Sequence, residues 1–404
     1  MLKNILALGF STSSKLMINA GLLIILAKYL GVENYGILAT SIALTSICVI
    51  TFDFGFSTYI IKVVADDKSL VHEVNRKAIA LKIYLLLIYV VFCQLVSYFI
   101  IETEYKTAFN LVMIMTLLNS IVEFVYISFR SISKFKIEAK VSLISSFIHL
   151  FTIIPIAYLY QNLLAVVCSY IFAKSITLLI CFGEYKKEFE RFDLPSKKDI
   201  KLKSVINVLN QVKYYGFDSA IINIRSNIDT VIIKALLGYE SVGIYQAGVN
   251  IVKALERIGP ILANVYLPKL SKLDFEFKKY FFQLIAFMII TPTIITVIAI
   301  NVDFKVILGQ DFSILNQLMP LFMLYMVLRY ICMSFGVFIT AVGLQKLRVK
   351  FGLINLMFSI GAFFILIPMF DILGAVSAMI LTAIVLLFCF LSVVIKEKHY
   401  LVRV

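Results

Sequence analysis

Histidine is scarce in this chain of 404 residues: three are present, His72, His149 and His399, far apart. The six cysteines form no C-x-x-C pair, so neither residue type supplies the clustered ligands of a zinc or iron site. Cys48, Cys93, Cys168, Cys181, Cys332 and Cys389 all fall in or at the ends of apolar runs, where they read as small buried hydrophobes. No G-x-x-x-x-G-K-[ST] is present, which argues against direct drive by ATP. No A-x-A follows the first apolar run, which is long and interrupted by Lys15, so it reads as a retained helix rather than a cleaved signal. Charge is also sparse, at 15% of residues against about 25% in a soluble domain.

Apolar residues fill that space. They make up 61% of the chain, and the mean hydropathy is +0.97. Runs of the roughly 20 residues needed to cross the hydrocarbon recur about twelve times. They cover residues 5–30, 36–61, 78–101, 108–129, 141–160 and 163–181, then 213–236, 242–267, 280–300, 315–340, 351–369 and 372–395. Without strict alternation, spans of this length are helices, because lipid forces the backbone to satisfy its own hydrogen bonds. The expected fold is an all-α integral membrane protein. Residues 1–182 would form an N-terminal six-helix lobe, 183–204 a cytoplasmic linker, and 205–404 a C-terminal six-helix lobe.

Lys and Arg orient the spans. With the N-terminus cytoplasmic, the basic loops at 76–77, 130–140, 186–203, 269–279 and 346–350 face inward with the C-terminal tail, leaving Lys106 and Lys305 outside. This accounts for the net charge of +14 without a nucleic-acid partner. Residues 200–209 alternate Ile200, Leu202, Val205, Ile206 and Leu209 with Lys201, Lys203 and Asn207, as in an interfacial helix or an inward extension of the seventh span.

One eight-residue pattern occurs twice. Leu30-Gly31-Val32-Glu33-Asn34-Tyr35-Gly36-Ile37 and Leu237-Gly238-Tyr239-Glu240-Ser241-Val242-Gly243-Ile244 both read L-G-x-E-x-x-G-I, about half a chain apart. Residues 163–171 and 372–380 match at nearly the same offset, as do Pro155 and Pro368. Duplication of a six-span unit gives two lobes with the same orientation, a pseudo-twofold axis along the membrane normal, and a central cavity between them. Each copy of the pattern falls in the outer turn between the first two spans of its half, a structural role.

Ionisable residues at membrane depth are costly, so their positions carry functional information. Gln211, Asp218, Arg225 and Asp229 share one face of the seventh span. Gln246, Asn250, Lys253, Arg257 and Asn264 mark the eighth, with Glu256 at its edge and Pro260 expected to kink it. Thr12, Lys15 and Asn19 form a shorter polar face on the first span; Asp53 lies near the inner end of the second, and Glu123 and Arg329 stand alone in the fourth and tenth. Mutual pairing of these charges to hold helices together is one reading, with Arg225 and Asp229 the obvious local pair. A solvated cationic cavity is the other, with Lys15, Arg225, Lys253 and Arg257 facing an anion. The asymmetry of charge between the halves places much of that site in the C-terminal lobe.

Arg225-x-x-x-Asp229, Leu237-Gly238 and Val242-Gly243-Ile244-Tyr245-Gln246-Ala247 resemble the R-x-x-x-D…LG…VG-x-Y-x-x-A signature of the polysaccharide exporter group, with the final Ala one place early. Leu30-Gly31, Tyr35-Gly36 and Asp53-Phe54-Gly55-Phe56 add to the likeness. The chain resembles the O-antigen flippases of the Wzx type, in the superfamily that also holds drug/cation antiporters and the lipid II flippase. The resemblance implies a bacterial inner-membrane protein that moves a polyprenyl-pyrophosphate-linked oligosaccharide outward by alternating access. Membrane lipid, a polysaccharide polymerase and a chain-length regulator are the implied partners, and no cofactor or enzymatic activity is implied. Asp53, Glu123, Asp218, Asp229 and Glu256 are then candidates for charge pairing or for carrying a coupling H+ or Na+. A drug/cation antiporter is the alternative, but it requires an acidic cavity; a membrane polymerase or ligase generally carries a large outer loop, and the outer loops here are short.

Overall fold

The computed structural model describes residues 2–189, 194–256, 258–270 and 276–397, and their side chains except those of residues 2–17, 19, 20, 58, 65, 66, 68, 214, 218, 261, 264, 265, 267–269 and 345. The described chain is helical, with short turns and no strand. Its helices are α1 (Leu2–Cys48), α2 (Ile50–Asp53), α3 (Phe56–Asp66), α4 (Val71–Ile100), α5 (Lys106–Ser131), α6 (Phe135–Tyr160), α7 (Leu163–Phe189), α8 (Leu202–Glu256), α9 (Ile258–Leu270), α10 (Phe277–Ile300), α11 (Phe304–Leu308), α12 (Ile314–Ala341) and α13 (Gln345–Lys396).

Among the described residues eight helical segments are long and apolar enough to cross a membrane. Their outer faces are those of lipid-exposed helices: Leu87, Tyr98, Phe99, Phe151, Leu179, Phe364 and Phe388 are all exposed. A soluble domain could not carry such a belt, whereas in lipid the apolar side chain is the matching surface.

Three helices contain a break in backbone geometry. In α1 it falls at Gly31 (φ 74, ψ 171) and in α8 at Gly238 (φ 81, ψ −174), the second residues of the two sequence copies. A left-handed φ with extended ψ is open to glycine and strained for other residues. The third, in α13, is at Asp371 (φ 50, ψ −132). The two arms of α13 meet just beyond it: a Cβ on Gly374 would stand 2.0 Å from the Leu366 carbonyl oxygen. Eight residues of straight helix would separate those positions by about 12 Å, so the chain doubles back.

The chain clusters into two units. The first comprises residues 1–22 and 37–231, the second 23–36 and 232–404, so α1 and α8 each contribute to both. In the first unit α7 packs on α5 and α6, and α3 on α5. Tyr89, Phe109, Tyr126 and Phe129 are fully buried there, with Val205, Val208 and Val212 of α8 in the same core. The inner residues of the seventh span are therefore helix continuous with α8, beginning at Leu202.

In the second unit α12 packs on α10 and α13, around Phe281, Phe312, Phe322, Tyr330 and Phe338. Both copies of the repeated pattern are in this unit, except for Ile37, which falls in the first. A Cβ on Gly36 would lie 1.9 Å from the Tyr239 carbonyl oxygen, and one on Gly243 would lie 2.1 Å from the Val32 carbonyl oxygen. Val32 and Tyr239 hold the same place in their copies, as do Gly36 and Gly243. The contact is reciprocal, and both of its glycines are required by close backbone approach.

Candidate functional site

In the first unit the membrane helix that leaves the first sequence copy is interrupted. α2 stops at Asp53, Phe54 (φ 30, ψ 45) and Gly55 (φ 72, ψ 11) are both left-handed, and α3 starts at Phe56. The interruption is held from outside by α8. A Cβ on Gly55 would fall 2.3 Å from the Tyr215 carbonyl carbon and 2.4 Å from the Gly216 nitrogen, and one on Gly216 would touch the Phe54 ring at 2.9 Å. Tyr59 Oη donates to Gln211 Oε1 at 2.7 Å, and Lys62 Nζ to Tyr215 Oη at 3.4 Å. Broken helices in membrane transporters expose helix ends and freed backbone groups to a site.

Asp53 is not isolated. Lys82 Nζ of α4 donates to Asp53 Oδ1 at 2.8 Å, and Ser120 Oγ of α5 donates to the same oxygen at 2.5 Å. The ammonium also lies 3.4 Å from the Phe52 carbonyl oxygen and 3.9 Å from the Phe52 ring centroid, a cation–π distance. The lysine side chain is 9% exposed and the aspartate 41% exposed. Thus a buried cation and a hydroxyl share one carboxylate oxygen, while the other receives no hydrogen bond from the described residues.

Glu123 belongs to a second cluster. Arg130, at the end of α5, makes bonds of 2.8 and 2.9 Å from Nε to the two Glu138 oxygens, and its Nη2 reaches Glu138 Oε1 at 2.5 Å and Glu123 Oε2 at 3.3 Å. The fork-shaped guanidinium ties α5 to α6, a bracing role suited to its geometry.

In the second unit Glu256 Oε1 stands 3.5 Å from Arg329 Nε, and both atoms are buried without a hydrogen bond to the described residues. Tyr330 Oη donates to the Leu255 carbonyl at 2.7 Å, fixing α12 to the end of α8. One turn before Glu256, Lys253 is exposed and takes part in no ion pair with a described residue. Asn250, one turn earlier again, donates to Tyr35 Oη at 2.8 Å and so bonds to the first copy of the pattern.

The other expected site residues fall as follows. Arg225 is exposed on α8, and Asp229, half-buried, accepts from the Thr230 amide at 2.8 Å. Lys15 and Asp218 lie on described helices, but their side chains are outside the described set, and Arg257 lies outside the described residues altogether. Pro260 lies on α9, three residues after Arg257. The pairs thus join three expected carboxylates, Asp53, Glu123 and Glu256, to Lys82, Arg130 and Arg329. Lys82 escaped sequence reasoning although it lies inside the third span: next to Arg76 and Lys77 it looks like part of a cytoplasmic basic cluster.

Residues 1–274 match the model of a family described as polysaccharide biosynthesis protein. The chain belongs to that family. Within the match fall Asp53, Lys82, Ser120, Lys253 and Glu256, while Arg329 lies beyond it. No curated protein matches the chain. Several solved structures do. The lipid II flippase MurJ in an inward closed conformation is 16% identical, with 98% of this chain and 89% of that one covered and a TM-score of 0.71. An outward-facing multidrug resistance MATE family transporter of the MOP superfamily gives 12% identity, 100% and 97% coverage and a TM-score of 0.62. A Vibrio cholerae MATE transporter, VcmN in the bent form, gives 11%, 98% of both chains and 0.54. At these identities the likeness is one of fold, and it places the polysaccharide biosynthesis protein in an all-α, multi-span membrane architecture.

Proposed function

We propose that this protein is a flippase that carries a polyprenyl-pyrophosphate-linked oligosaccharide from the cytoplasmic to the outer leaflet of a bacterial inner membrane by alternating access. The observation that carries the reading is the way charges are partitioned. Asp53, Glu123 and Glu256 each sit with a cation of their own unit, Lys82, Arg130 and Arg329, so they are engaged apart from the cationic stripe on α8. Lys253, exposed and outside any described ion pair, remains available to an anion. A pyrophosphate with its hydrated sugar cannot cross about 30 Å of hydrocarbon unaided. Lys and Arg offer it charge-assisted hydrogen bonds. The family and the fold shared with a lipid II flippase support the same cargo class.

Twelve spans in two six-helix lobes are consistent with the breaks: α1, α8 and α13 would each count as two. α13, with 52 residues, would otherwise reach about 78 Å, more than twice the hydrocarbon thickness. In this reading Lys15, Arg225, Lys253 and Arg257 receive the pyrophosphate, and the C-terminal lobe supplies much of the site. Asp53 is the candidate for the coupling H+ or Na+, because its partly exposed carboxylate lies at a helix break beside a buried ammonium. Membrane lipid, a polymerase and a chain-length regulator would be its partners.

The test is export in cells. Lys253→Ala and Arg257→Ala should each lower transfer of lipid-linked sugar about tenfold or more, the worth of one charge-assisted hydrogen bond, with protein abundance unchanged. Arg257→Lys should retain more export than Arg257→Ala. Unaltered export in both alanine variants at normal abundance would sink the cationic site.

A further inference from the structure

Beside the Asp53–Lys82 pair the first unit holds a cavity of about 430 Å3 that the charge clusters do not use. Its wall is apolar apart from Lys82, whose ammonium is directed to Asp53, and Tyr185, whose hydroxyl accepts from Asn75. Ile79, Ile83 and Leu86 of α4 form one side, Phe124 of α5 and Phe182 of α7 another, and Leu194 closes it from the segment before α8. Ile83 is 51% exposed and Leu86 37%, beside the lipid-facing Leu87 and Ile88, so the cavity opens sideways into the apolar belt.

Its basic end is built from the same helix. Arg76, Ile79, Ile83 and Leu86 follow steps of three, four and three and so share one face of α4. Arg76 is 3.5 Å from Asp199, and its buried Nε donates no hydrogen bond to the described residues. Asp199 is itself engaged by the Ser196 amide and hydroxyl at 2.9 and 2.6 Å, which hold its carboxyl below the usual carboxylate range. Tyr84 Oη donates to the Ile200 carbonyl at 2.8 Å, tying the same segment to α4. Lys197, Lys198, Lys201 and Lys203 are all exposed on that segment and the start of α8. Against them stand Asp199 and Glu73, and Glu73 is held by Lys77 at 2.5 Å. The rim is net positive.

We propose that this cavity is a binding site for an anionic phospholipid, with one acyl chain in the slot and the phosphate at Arg76 and the neighbouring lysines. A slot open to lipid with a guanidinium and lysines at its basic end matches an amphiphile of that charge. Size selects the chain. At roughly 30 Å3 for a group as large as a water molecule, the cavity accepts on the order of a dozen methylenes, the scale of one acyl chain. A polyprenyl tail would leave most of its length outside. The bound lipid would link the segment at 194–203 to α4 through Arg76 and Leu194. This site does not depend on the cargo.

Native mass spectrometry of the full chain in detergent, titrated with phosphatidylglycerol, phosphatidylcholine and a polyprenyl phosphate, tests it. Wild type should hold one phosphatidylglycerol about tenfold more tightly than phosphatidylcholine, as one charge-assisted contact requires. Arg76→Ala should remove that preference and Arg76→Lys should restore most of it. Ile83→Trp, filling the slot, should weaken both phospholipids, whereas Leu87→Trp on the adjoining lipid face should change neither. Equal affinity of wild type for the two phospholipids would overturn the proposal, as would a preference that survives both Arg76→Ala and Ile83→Trp. Displacement of phosphatidylglycerol by equimolar polyprenyl phosphate would also overturn it, and would assign the slot to the cargo's tail.

Discussion

The neighbourhoods of Gly31 and Gly238 differ in almost everything except the backbone. Both residues have φ near 80° with an extended ψ, and five residues later each copy offers a glycine to the other's carbonyl. Beyond that the copies part. At the spacing that separates them, Ala39, Ala43, Ser46 and Val49 occupy the places of Gln246, Asn250, Lys253 and Glu256. The first copy continues into buried hydroxyls, with Thr45 Oγ1 2.7 Å from the Ser41 carbonyl and 2.9 Å from Thr116 Oγ1. The second continues into charge. Glycine preserves the shared geometry, and the flanking side chains are free to specialise.

Exchanging the flanks should break the comparison most strongly. Ser46→Lys puts the charge of Lys253 into the uncharged flank and should cost up to about 2.5–3.5 kcal/mol, the expense of lysine at the centre of a membrane helix, seen as loss of folded protein in detergent. Next come the glycines in the reciprocal contact. Gly36→Ala and Gly243→Ala each drive a Cβ to within about 2 Å of a carbonyl oxygen, and the backbone shift should cost about 1–3 kcal/mol by thermal unfolding. The two values should agree within error; a large difference would show that the contact is reciprocal in geometry alone.

Gly31→Ala and Gly238→Ala meet nothing within 4 Å, so only the left-handed φ opposes them. Their cost should be smaller, about 1–2 kcal/mol, and again equal in the two copies. The smallest effect concerns the segment at 194–203, which has no counterpart in the comparison. The Asp199 carboxyl is lowered in the folded protein by Ser196, so its contribution is present above the ordinary carboxylate value and is lost as pH falls through the folded one. Hydrogen exchange at residues 196–205, corrected for intrinsic rate, should lose protection on acidification in wild type. Asp199→Asn should show no such loss.

Membrane residence and helical class were legible because they rest on composition and run length, properties each residue carries by itself. The breaks at Gly31 and Gly238 were legible as turns for the same reason, since glycine advertises a left-handed φ. The break at Asp371 was legible only as the interval between the runs at 351–369 and 372–395, because no glycine stands there; Gly374 marks instead the place where the returning arm touches Leu366. Ion pairs were the least legible. Asp53 and Lys82 are brought together by packing of α2 on α4, and Glu256 meets Arg329 from another helix; no periodicity within one helix encodes either meeting. Glu123 and Arg130 share α5, but the stronger partner of that arginine, Glu138, comes from α6.

The reciprocal glycine contact has the form of an interface between two identical subunits: the same position on each side, each fitting the other's backbone. Within one chain such a contact is encoded twice rather than once. In a homodimer a single coding change at that glycine would strike both sides of the interface together, whereas here it strikes one side and leaves the other intact. The two flanks can therefore differ without disturbing the shared contact, with Lys253 and Glu256 beside one copy of the pattern and Ser46 and Val49 at the matching places beside the other.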